Sequence, residues 1–244
     1  MNLCIDEGNS RTKVALFNEE GTIHKSFIYK SFSSFDVQRL FNLYAIENSI
    51  ISSVTNVDSA IINSLHRLSK HFILFDHQTP LPIKLGYRSP ETLGHDRIAA
   101  AVGAVGLSPG FNLLIIDVGT AITYDFIDDQ QTFLGGNIAP GIRMRLSVLK
   151  QMTKKLPLVE TEENELLPLF GRTTRDAIAI GVIRGVIYEV RGYMRAVADF
   201  KPVRTYLTGG NAPYILNNLP SSDITFVRHL TLLGLNKIIL HNLT

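Results

Sequence analysis

An acidic residue followed two positions later by glycine, between two apolar runs, occurs twice in this chain and constrains its fold more than any other feature. The first copy is Ile5–Lys13 and the second is Ile116–Thr123. Each copy leaves through a second apolar run into a polar turn, and a third short strand follows. Such a repeated β-turn-β-turn-β unit predicts a duplicated half-domain.

The residues of the first turn are of the types that bind phosphate. Gly8 has no Cβ, so a ligand can approach its backbone closely. The small polar residues after it can turn hydroxyl, amide and backbone N–H groups toward an anion. Asp6 could hold a metal that bridges phosphate oxygens. One such motif is weak, and its recurrence at Asp117 is what favours a ligand site over an ordinary turn.

The spacing of apolar residues extends the first unit to the order βββαβαβ. Helices are predicted over Ser34–Ile46 and Asn56–Lys70, and strands over Ile50–Val54 and Phe72–Phe75. This is the order of a ribonuclease-H-like half-domain, which the actin, sugar-kinase and Hsp70 superfamily uses twice. We therefore expect an α/β protein of two duplicated ribonuclease-H-like (actin-like ATPase) half-domains, residues 1–110 and 111–244, with a central cleft. The analogy is one of fold and does not by itself give a function.

The second half contains two predicted helices of unusual composition. The helix over Ile142–Lys154 carries a run of basic residues, which we interpret as a solvated face. The helix over Thr174–Phe200 contains glycines at 181, 185 and 192, each costing about 1 kcal/mol against alanine in a helix interior. Close helix packing or a subunit interface would explain them. Thr208–Ala212 ends a predicted strand with two glycines and begins a helix, where open α/β sheets bind nucleotides.

Composition excludes several classes of protein. At 244 residues and 45% hydrophobic content the chain can bury a substantial core. Its 24 basic and 22 acidic residues leave a net charge of +2, so a nucleic-acid-binding surface is not expected. Cys4 is the only cysteine, which excludes a disulfide framework and a thiolate zinc site and predicts a small buried hydrophobic residue.

Neither a targeting segment nor a membrane span is expected. The chain enters a strand at once, without the basic and apolar regions of a secretory signal. The uncharged run Ile98–Ile116 is interrupted by glycine, proline and asparagine, so it predicts a helix end, a loop and a strand. A cytoplasmic location is expected.

A third motif lies between the two acid-bearing turns. Leu93-Gly94-His95-Asp96-Arg97 runs into an alanine-rich, strongly helical segment. Asp96 and Arg97 therefore fall in the first turn of a helix, where the helix dipole suits anions. On the sequence alone, Asp96 could equally be a residue that only starts the helix.

Together these motifs identify a family. In order, they are Asp6-x-Gly8-Asn9-Ser10-x-x-Lys13, Gly94-x-Asp96-Arg97, Asp117-x-Gly119-Thr120-Ala121, Gly135-Gly136-x-Ile138-x-Pro140-Gly141 and Thr208-Gly209-Gly210. With these five in register the chain resembles a type III pantothenate kinase over essentially its whole length. The tetrad at Gly94 is the most specific, because other members of the superfamily carry phosphate loops without it.

The resemblance implies ATP-dependent phosphorylation of the primary hydroxyl of pantothenate to 4′-phosphopantothenate, the first step of coenzyme A biosynthesis. It makes Asp96 the general base and Asp117 the ligand of a monovalent cation, K⁺ or NH₄⁺, while Mg²⁺ would accompany ATP, with Asp6 as a candidate ligand. The implied ATP contacts are Asp6, Glu7, Gly8, Asn9, Ser10, Arg11, Thr12, Lys13 and Thr120. The implied pantothenate contacts are Tyr87, Gly94, His95, Asp96, Arg97 and Thr174. Thr174 would reach the substrate of the partner subunit in a homodimer.

The residue types suit this chemistry. Phosphoryl transfer requires charge neutralisation and in-line positioning more than covalent catalysis. The guanidinium of Arg97 matches the substrate carboxylate in a planar fork, whereas Lys13 acts as a point charge on phosphate.

Simpler interpretations of four residues stay open. His95 could be a histidine without a catalytic role, and strand alternation should point Glu7 away from Asp6. Tyr87 could pack on the domain, and Thr174 could cap its helix. Two other functions are also open for the chain: a non-catalytic transcriptional accessory relative with the same fold, and a kinase of another small alcohol such as a sugar.

Overall fold

The structure, a computed structural model, describes residues 1–53, 57–161, 167–219 and 224–243. Within these residues the strands are β1 (Asn2–Glu7), β2 (Thr12–Phe17), β3 (Ile23–Tyr29), β4 (Asn48–Ser53), β5 (His71–Leu74), β6 (Lys84–Leu85), β7 (Asn112–Val118), β8 (Ala121–Ile127), β9 (Thr132–Pro140), β10 (Val203–Thr208) and β11 (Ile224–Phe226). The helices are α1 (Ser34–Leu43), α2 (Ser59–Leu68), α3 (His95–Leu107), α4 (Ile142–Gln151), α5 (Thr174–Ala196), α6 (Pro213–Leu216) and α7 (Leu230–Asn242). A 3₁₀ turn, Pro90–Thr92, precedes α3.

The chain divides into two compact units. The first contains Met1–Pro109, Gln131–Phe133 and the segment that begins at His229, and the second contains Gly110–Gln130 and Leu134–Arg228. Each unit is built on one β-sheet and has its own apolar core.

The first unit contains a five-stranded sheet in the order β3-β2-β1-β4-β5. β1 pairs antiparallel with β2 and parallel with β4, which in turn pairs parallel with β5. The elements follow each other as β1-β2-β3-α1-β4-α2-β5, which confirms the predicted order βββαβαβ.

One face of this sheet forms an apolar core with α1 and α2. Leu3 and Ile5 of β1 contribute to it, because alternate side chains of a strand point to the same face. Val37 of α1 and Leu65 of α2 complete the contact from the helices. α7 packs against β1, β2 and β4, and it lies on the opposite face because none of its residues joins this core.

The sheet of the second unit has the same strand order. It runs β9-β8-β7-β10-β11, with β7 antiparallel to β8 and parallel to β10. Counting strands from β7, this is the order 3-2-1-4-5 of the first sheet, so the duplication predicted from the repeated turn is confirmed as a duplicated topology. α4, α5 and α6 cover one face, and their buried residues form a single core with β7, β8 and β10. The short β6 pairs with the start of β9, and these β9 residues belong to the first unit.

The closing helix departs from the predicted division into residues 1–110 and 111–244. As a division into duplicated half-domains it stays a prediction. In the packing of the structure, however, α7 belongs to the first unit. The reason is a close helix crossing with α3. A Cβ on Gly234 would overlap the carbonyl oxygen of Ala99, and one on Gly103 would overlap the carbonyl oxygen of Leu230.

The predicted helices and strands are present, with shifted ends. The second helix was predicted from Asn56, and the structure begins α2 after Asp58, whose carboxylate accepts a hydrogen bond from the N–H of Ala60. Val54 and Asn56 lie outside the described residues. Cys4 is buried as predicted, and burial raises the pKa of its thiol. Among the described helices, none combines the length and apolar character needed to cross a membrane.

The α3–α7 crossing yields a stability prediction. Gly103→Ala should lower the free energy of unfolding by about 1–3 kcal/mol, because the added methyl meets rigid backbone of α7. Gly106→Ala is the matched control on the same helix, since the nearest atoms to its methyl would be those of the flexible Lys237 side chain, from 3.3 Å. It should be neutral or stabilise by up to about 1 kcal/mol through helix propensity. Urea unfolding of both variants measures the difference, and equal midpoints would contradict this packing.

Candidate active site

The first acid-bearing turn is a short hairpin between β1 and β2. Asp6 lies opposite Lys13, and the N–H of Gly8 donates to the carbonyl of Arg11 at 3.2 Å. The loop residues Asn9, Ser10 and Arg11 are exposed at the tip of the turn. A Cβ on Gly8 would lie 3.3 Å from the Arg11 carbonyl oxygen, which leaves little room for a larger residue.

Three neighbouring strands place polar side chains in one row on the same face of the sheet. Lys13 of β2, Asp6 of β1 and Ser52 of β4 are direct register partners. The Lys13 Nζ lies 3.8 Å from Asp6 Oδ2, and Asp6 is only 6% exposed. The hydroxyl of Ser52 is buried and has no hydrogen-bond partner within the part of the chain that the structure describes. The sequence analysis missed Ser52, whose position depends on the parallel register.

Glu7 lies on the opposite face of β1 from Asp6. It is the register partner of Thr12, and one of its carboxylate oxygens is buried without a hydrogen-bond partner among the described residues. The alternation predicted for β1 therefore separates Glu7 from the Asp6–Lys13 pair.

The first turn of α3 lies at the same edge of the sheet. The His95 ring packs on Phe75 with the ring centroids 5.0 Å apart, and Phe75 directly follows β5. β1, β4 and β5 are parallel, so their carboxyl ends share one edge. The start of α3 is thereby held at the same sheet edge at which β1 ends, although β4 lies between β1 and β5 in the sheet. The packing of His95 on Phe75 agrees with a structural role for this histidine.

Asp96 folds back over the start of its own helix. Its Oδ1 accepts a hydrogen bond from the N–H of Arg97 at 2.8 Å. A Cβ on Gly94 would lie 2.6 Å from the same oxygen, so the carboxylate occupies the space that a side chain would need. The sequence pattern Gly-x-Asp is explained by this contact, and Asp96 remains partly exposed.

Arg97 is buried against two aromatic rings that also contact each other. Its Cζ lies 5.9 Å from the ring centroid of Tyr87 and 5.7 Å from that of Phe133, and the residue is 6% exposed. The two rings meet edge to face at 6.0 Å. Such cation–π contacts stabilise a guanidinium in a fixed orientation. Tyr87 thus packs on the domain, as its simpler interpretation has it. The residue it packs against, Arg97, is itself a predicted site residue.

The sequence analysis missed Phe133. Its position depends on β6, whose Leu85 is its register partner, and on the N–H of Gly86, which donates to the Phe133 carbonyl at 2.9 Å. No periodicity in the sequence indicates a pairing between segments this far apart.

The second acid-bearing turn, in the second unit, is enclosed by backbone. The N–H of Gly141 donates to the Thr120 carbonyl at 3.1 Å, and Asn211 donates to the carbonyls of Val118 and Gly119 at 2.9 Å each. A Cβ on Gly141 would overlap the Thr120 carbonyl oxygen. Thr120 is itself exposed, so its side chain stays accessible while its backbone is fixed.

Gly209 leaves space for the carboxylate of Asp117. Its backbone is in the left-handed region, with φ at 98°, and a Cβ there would overlap Asp117 Oδ1 and the backbone of Val118. The strand-end glycines predicted as a nucleotide-binding feature therefore lie directly against the second acid-bearing turn.

Thr174 does not cap α5. The cap is the preceding Thr173, whose hydroxyl accepts a hydrogen bond from the N–H of Asp176 at 3.1 Å. Thr174 is exposed at the first position of the helix. The helix-capping interpretation of Thr174 is thus wrong.

The structure gathers the predicted site residues within each unit. In the first unit the Asp6–Lys13 turn and the start of α3 share one sheet edge, while in the second Asp117 and Thr120 belong to one enclosed turn. No group of three or more carboxylate, histidine or cysteine side chains able to hold a metal occurs among the described residues. The donor set still suits Mg²⁺, because this ion keeps several waters and is usually bound by one or two carboxylates and substrate phosphates.

A sequence comparison decides the family. The profile of the type III pantothenate kinases matches residues 2–196. A type III pantothenate kinase of Phocaeicola vulgatus is 40% identical over 243 residues, covering 99% of both chains. The chain belongs to the type III pantothenate kinase family. The corresponding protein of Cytophaga hutchinsonii is 38% identical over 247 residues and is covered completely. These findings confirm the identification made from the five motifs and make the chain a kinase by family.

Solved structures confirm the fold class of this pantothenate kinase. A ROK family glucokinase from Streptomyces griseus, in complex with glucose and AMPPNP, has a TM-score of 0.56 at 13% identity and covers 98% of this chain and 99% of its own. A Campylobacter jejuni protein described as a candidate Baf family transcriptional activator has a TM-score of 0.63 at 23% identity, with 98% of each chain covered. At these identities the likeness concerns the fold alone.

The space beside Asp117 yields a prediction. Gly209→Ala should lower turnover by about 100-fold, because the methyl displaces the acid-bearing turn. Gly110→Ala is the matched control: Gly110 shares the left-handed backbone, with φ at 77°, but a Cβ there would meet, besides its chain neighbours, no atom of the described residues within 4 Å. Gly110→Ala should lower the free energy of unfolding and leave turnover unchanged. Steady-state kinetics of both folded variants decide the matter, and full activity in Gly209→Ala would contradict the close packing of this turn.

Proposed function

We propose that this kinase transfers the γ-phosphoryl group of ATP to the primary hydroxyl of pantothenate, giving 4′-phosphopantothenate in the cytoplasm. The observation that carries the proposal is the start of α3. There the carboxylate of Asp96 lies next to a buried arginine, at the same sheet edge at which β1, the strand of Asp6, ends. This pairing of an accessible carboxylate with an oriented guanidinium suits an alcohol substrate that also carries a carboxylate.

Asp96 acts as the general base in this proposal. It accepts the hydroxyl proton as the phosphoryl group is transferred. Arg97, oriented by its contacts with Tyr87 and Phe133, binds the pantothenate carboxylate through its planar fork. Gly94 and His95 complete the substrate contacts, and the packing of His95 on Phe75 fixes their backbone.

The ATP contacts are assigned to the two acid-bearing turns. In the first unit, residues 6–13 bind phosphate oxygens through the loop N–H groups and through Lys13 as a point charge. Asp6 is the candidate ligand of Mg²⁺, which would neutralise phosphate charge when bound. In the second unit, Thr120 contributes a hydroxyl and Asp117 binds K⁺ or NH₄⁺. The Asp117 carboxylate occupies the space that Gly209 leaves, which fixes its position in the turn.

Asp96→Asn tests the proposed base. Asparagine keeps an oxygen for the hydrogen bond from the Arg97 N–H, so the local structure should persist, but it cannot accept a proton. Turnover should fall by about 10²–10⁴-fold while the affinity for ATP is unchanged. Glu91→Gln is the control, because Glu91 is an exposed acid in the 3₁₀ turn just before α3.

ADP release is measured with pantothenate and with a panel of other small alcohols, sugars included. Unchanged turnover in Asp96→Asn would remove Asp96 from its role. Turnover with a sugar but not with pantothenate would reassign the substrate, and ATP binding without any turnover would favour a non-catalytic relative.

A homodimer is part of the proposal, with Thr174 of one subunit offered to the substrate of the other. Its support is the exposed face of α5, where a Cβ on Gly181 or Gly192 would meet, apart from its own helix turn, no described atom within 4 Å. Tyr188, which is 50% exposed, lies between them on the same helix face.

The mass in solution tests the dimer. Light scattering should give twice the chain mass of 27.1 kDa. Gly181→Arg should give a folded monomer with an impaired pantothenate KM, because a bulky cation on this face separates the subunits. A wild-type monomer with full activity would refute the shared site.

A further inference from the structure

A chain of polar contacts connects Arg145 to the second acid-bearing turn. The basic residues of α4 were predicted to form a solvated face, and for Arg145 this is wrong. Its side chain is 19% exposed, and both terminal nitrogens bind the two carboxylate oxygens of Glu189 on α5 at 2.7 Å. Such a bidentate pair fixes the orientation of the guanidinium.

The remaining donor of this guanidinium binds the backbone that faces the turn. Arg145 Nε donates to the Pro140 carbonyl at 2.7 Å, and the Arg145 N–H donates to the Gly141 carbonyl at 3.0 Å. The second bond is the ordinary i→i−4 bond of the helix start, so the contribution of the arginine side chain is the bond to Pro140. Gly141 in turn donates to the Thr120 carbonyl. Hydrogen bonds thus connect Arg145 to the Thr120 backbone through Pro140 and Gly141.

The far side of the ion pair is anchored on the strand that leaves the same turn. The Tyr124 hydroxyl donates to Glu189 Oε2 at 3.2 Å, and its ring, 2% exposed, stacks on Tyr193 at 3.9 Å. Tyr124 lies on β8, which begins directly after Thr120. The contacts thus form a closed ring through Thr120, Gly141, Arg145, Glu189 and Tyr124.

The charges of this ring are matched at neutral pH. The hydrogen bonds from Arg145 lower the pKa of Glu189, so its carboxylate stays ionised. Burial raises the pKa of Tyr124, with a further contribution from Glu189, so its hydroxyl stays protonated and can donate.

We infer that Arg145 and Glu189 are positioning residues for ATP: they hold the Pro140–Gly141 backbone against Thr120 and so fix the turn that the proposed function assigns to the nucleotide. The inference rests on that function for the identity of the ligand. Neither residue needs to touch the substrate or the reacting atoms.

Arg145→Lys tests this role, because lysine keeps the charge but cannot bind Glu189 with two nitrogens and Pro140 with a third. The Kd of ATP, measured by calorimetry, should rise about tenfold, and the pantothenate KM should stay unchanged. This tenfold change in Kd corresponds to about 1.4 kcal/mol in the free energy of binding. Glu189→Gln removes the charge at nearly constant shape and should have the same effect. The double variant should be no worse than either single one, because the two residues act as a unit.

Arg191→Lys is the matched control. Arg191 also lies on α5 and donates Nη2 to a backbone carbonyl, that of Asn218, at 2.7 Å, but among the described residues it contacts neither the turn nor Arg145. It should lose stability without losing affinity for ATP. Amide hydrogen exchange at Gly141 gives a second readout: it should quicken in Arg145→Lys and Glu189→Gln and stay unchanged in Arg191→Lys.

Each outcome is decisive. Unchanged ATP affinity and unchanged Gly141 exchange in folded Arg145→Lys or Glu189→Gln would overturn the inference, as would an equal loss of affinity in Arg191→Lys. ATP binding by the wild-type protein without pantothenate turnover would overturn the proposed function alone, because the affinity measurement does not require the reaction. Absence of ATP binding in the wild-type protein would overturn both.

Discussion

The site depends on one constraint of strand pairing. In each unit the first strand turns tightly into an antiparallel partner and also pairs in parallel with a later strand. An acid near the end of that first strand therefore lies at the edge where the parallel strands end and their connecting turns begin. Asp6 and Asp117 both occupy this position, and ligands of open α/β sheets bind at such edges.

Backbone contact explains why glycines surround these acids. Side chains at Gly94 and Gly209 would occupy the space of the Asp96 and Asp117 carboxylates, and one at Gly141 would displace the Thr120 carbonyl. The glycines of the family motifs thus lie where two segments of the chain must approach each other closely. Phosphoryl transfer places its demands on positioning and on charge, so a rigid backbone around a few carboxylates suits it.

The sequence predicted what local patterns determine. The order βββαβαβ, its duplication and the placement of Asp96 in the first turn of a helix all follow from apolar periodicity and motif spacing. It could not predict the contacts made by residues distant in sequence. The packing of α7 on α3, the pairing that brings Phe133 to Arg97, and the parallel register that places Ser52 beside Asp6 leave no local signal. Arg145 shows the same limit, because its partner Glu189 lies on another helix and only the fold distinguishes it from its solvated neighbours.

The central claim is that the carboxylate at the start of α3 activates the hydroxyl of pantothenate. The most direct measurement is a crystal structure of the protein with pantothenate and a non-hydrolysable ATP analogue. The account predicts the primary hydroxyl within about 3 Å of an Asp96 carboxylate oxygen and the pantothenate carboxylate on the Arg97 guanidinium. Pantothenate bound elsewhere, or bound with its hydroxyl turned away from Asp96, would contradict it.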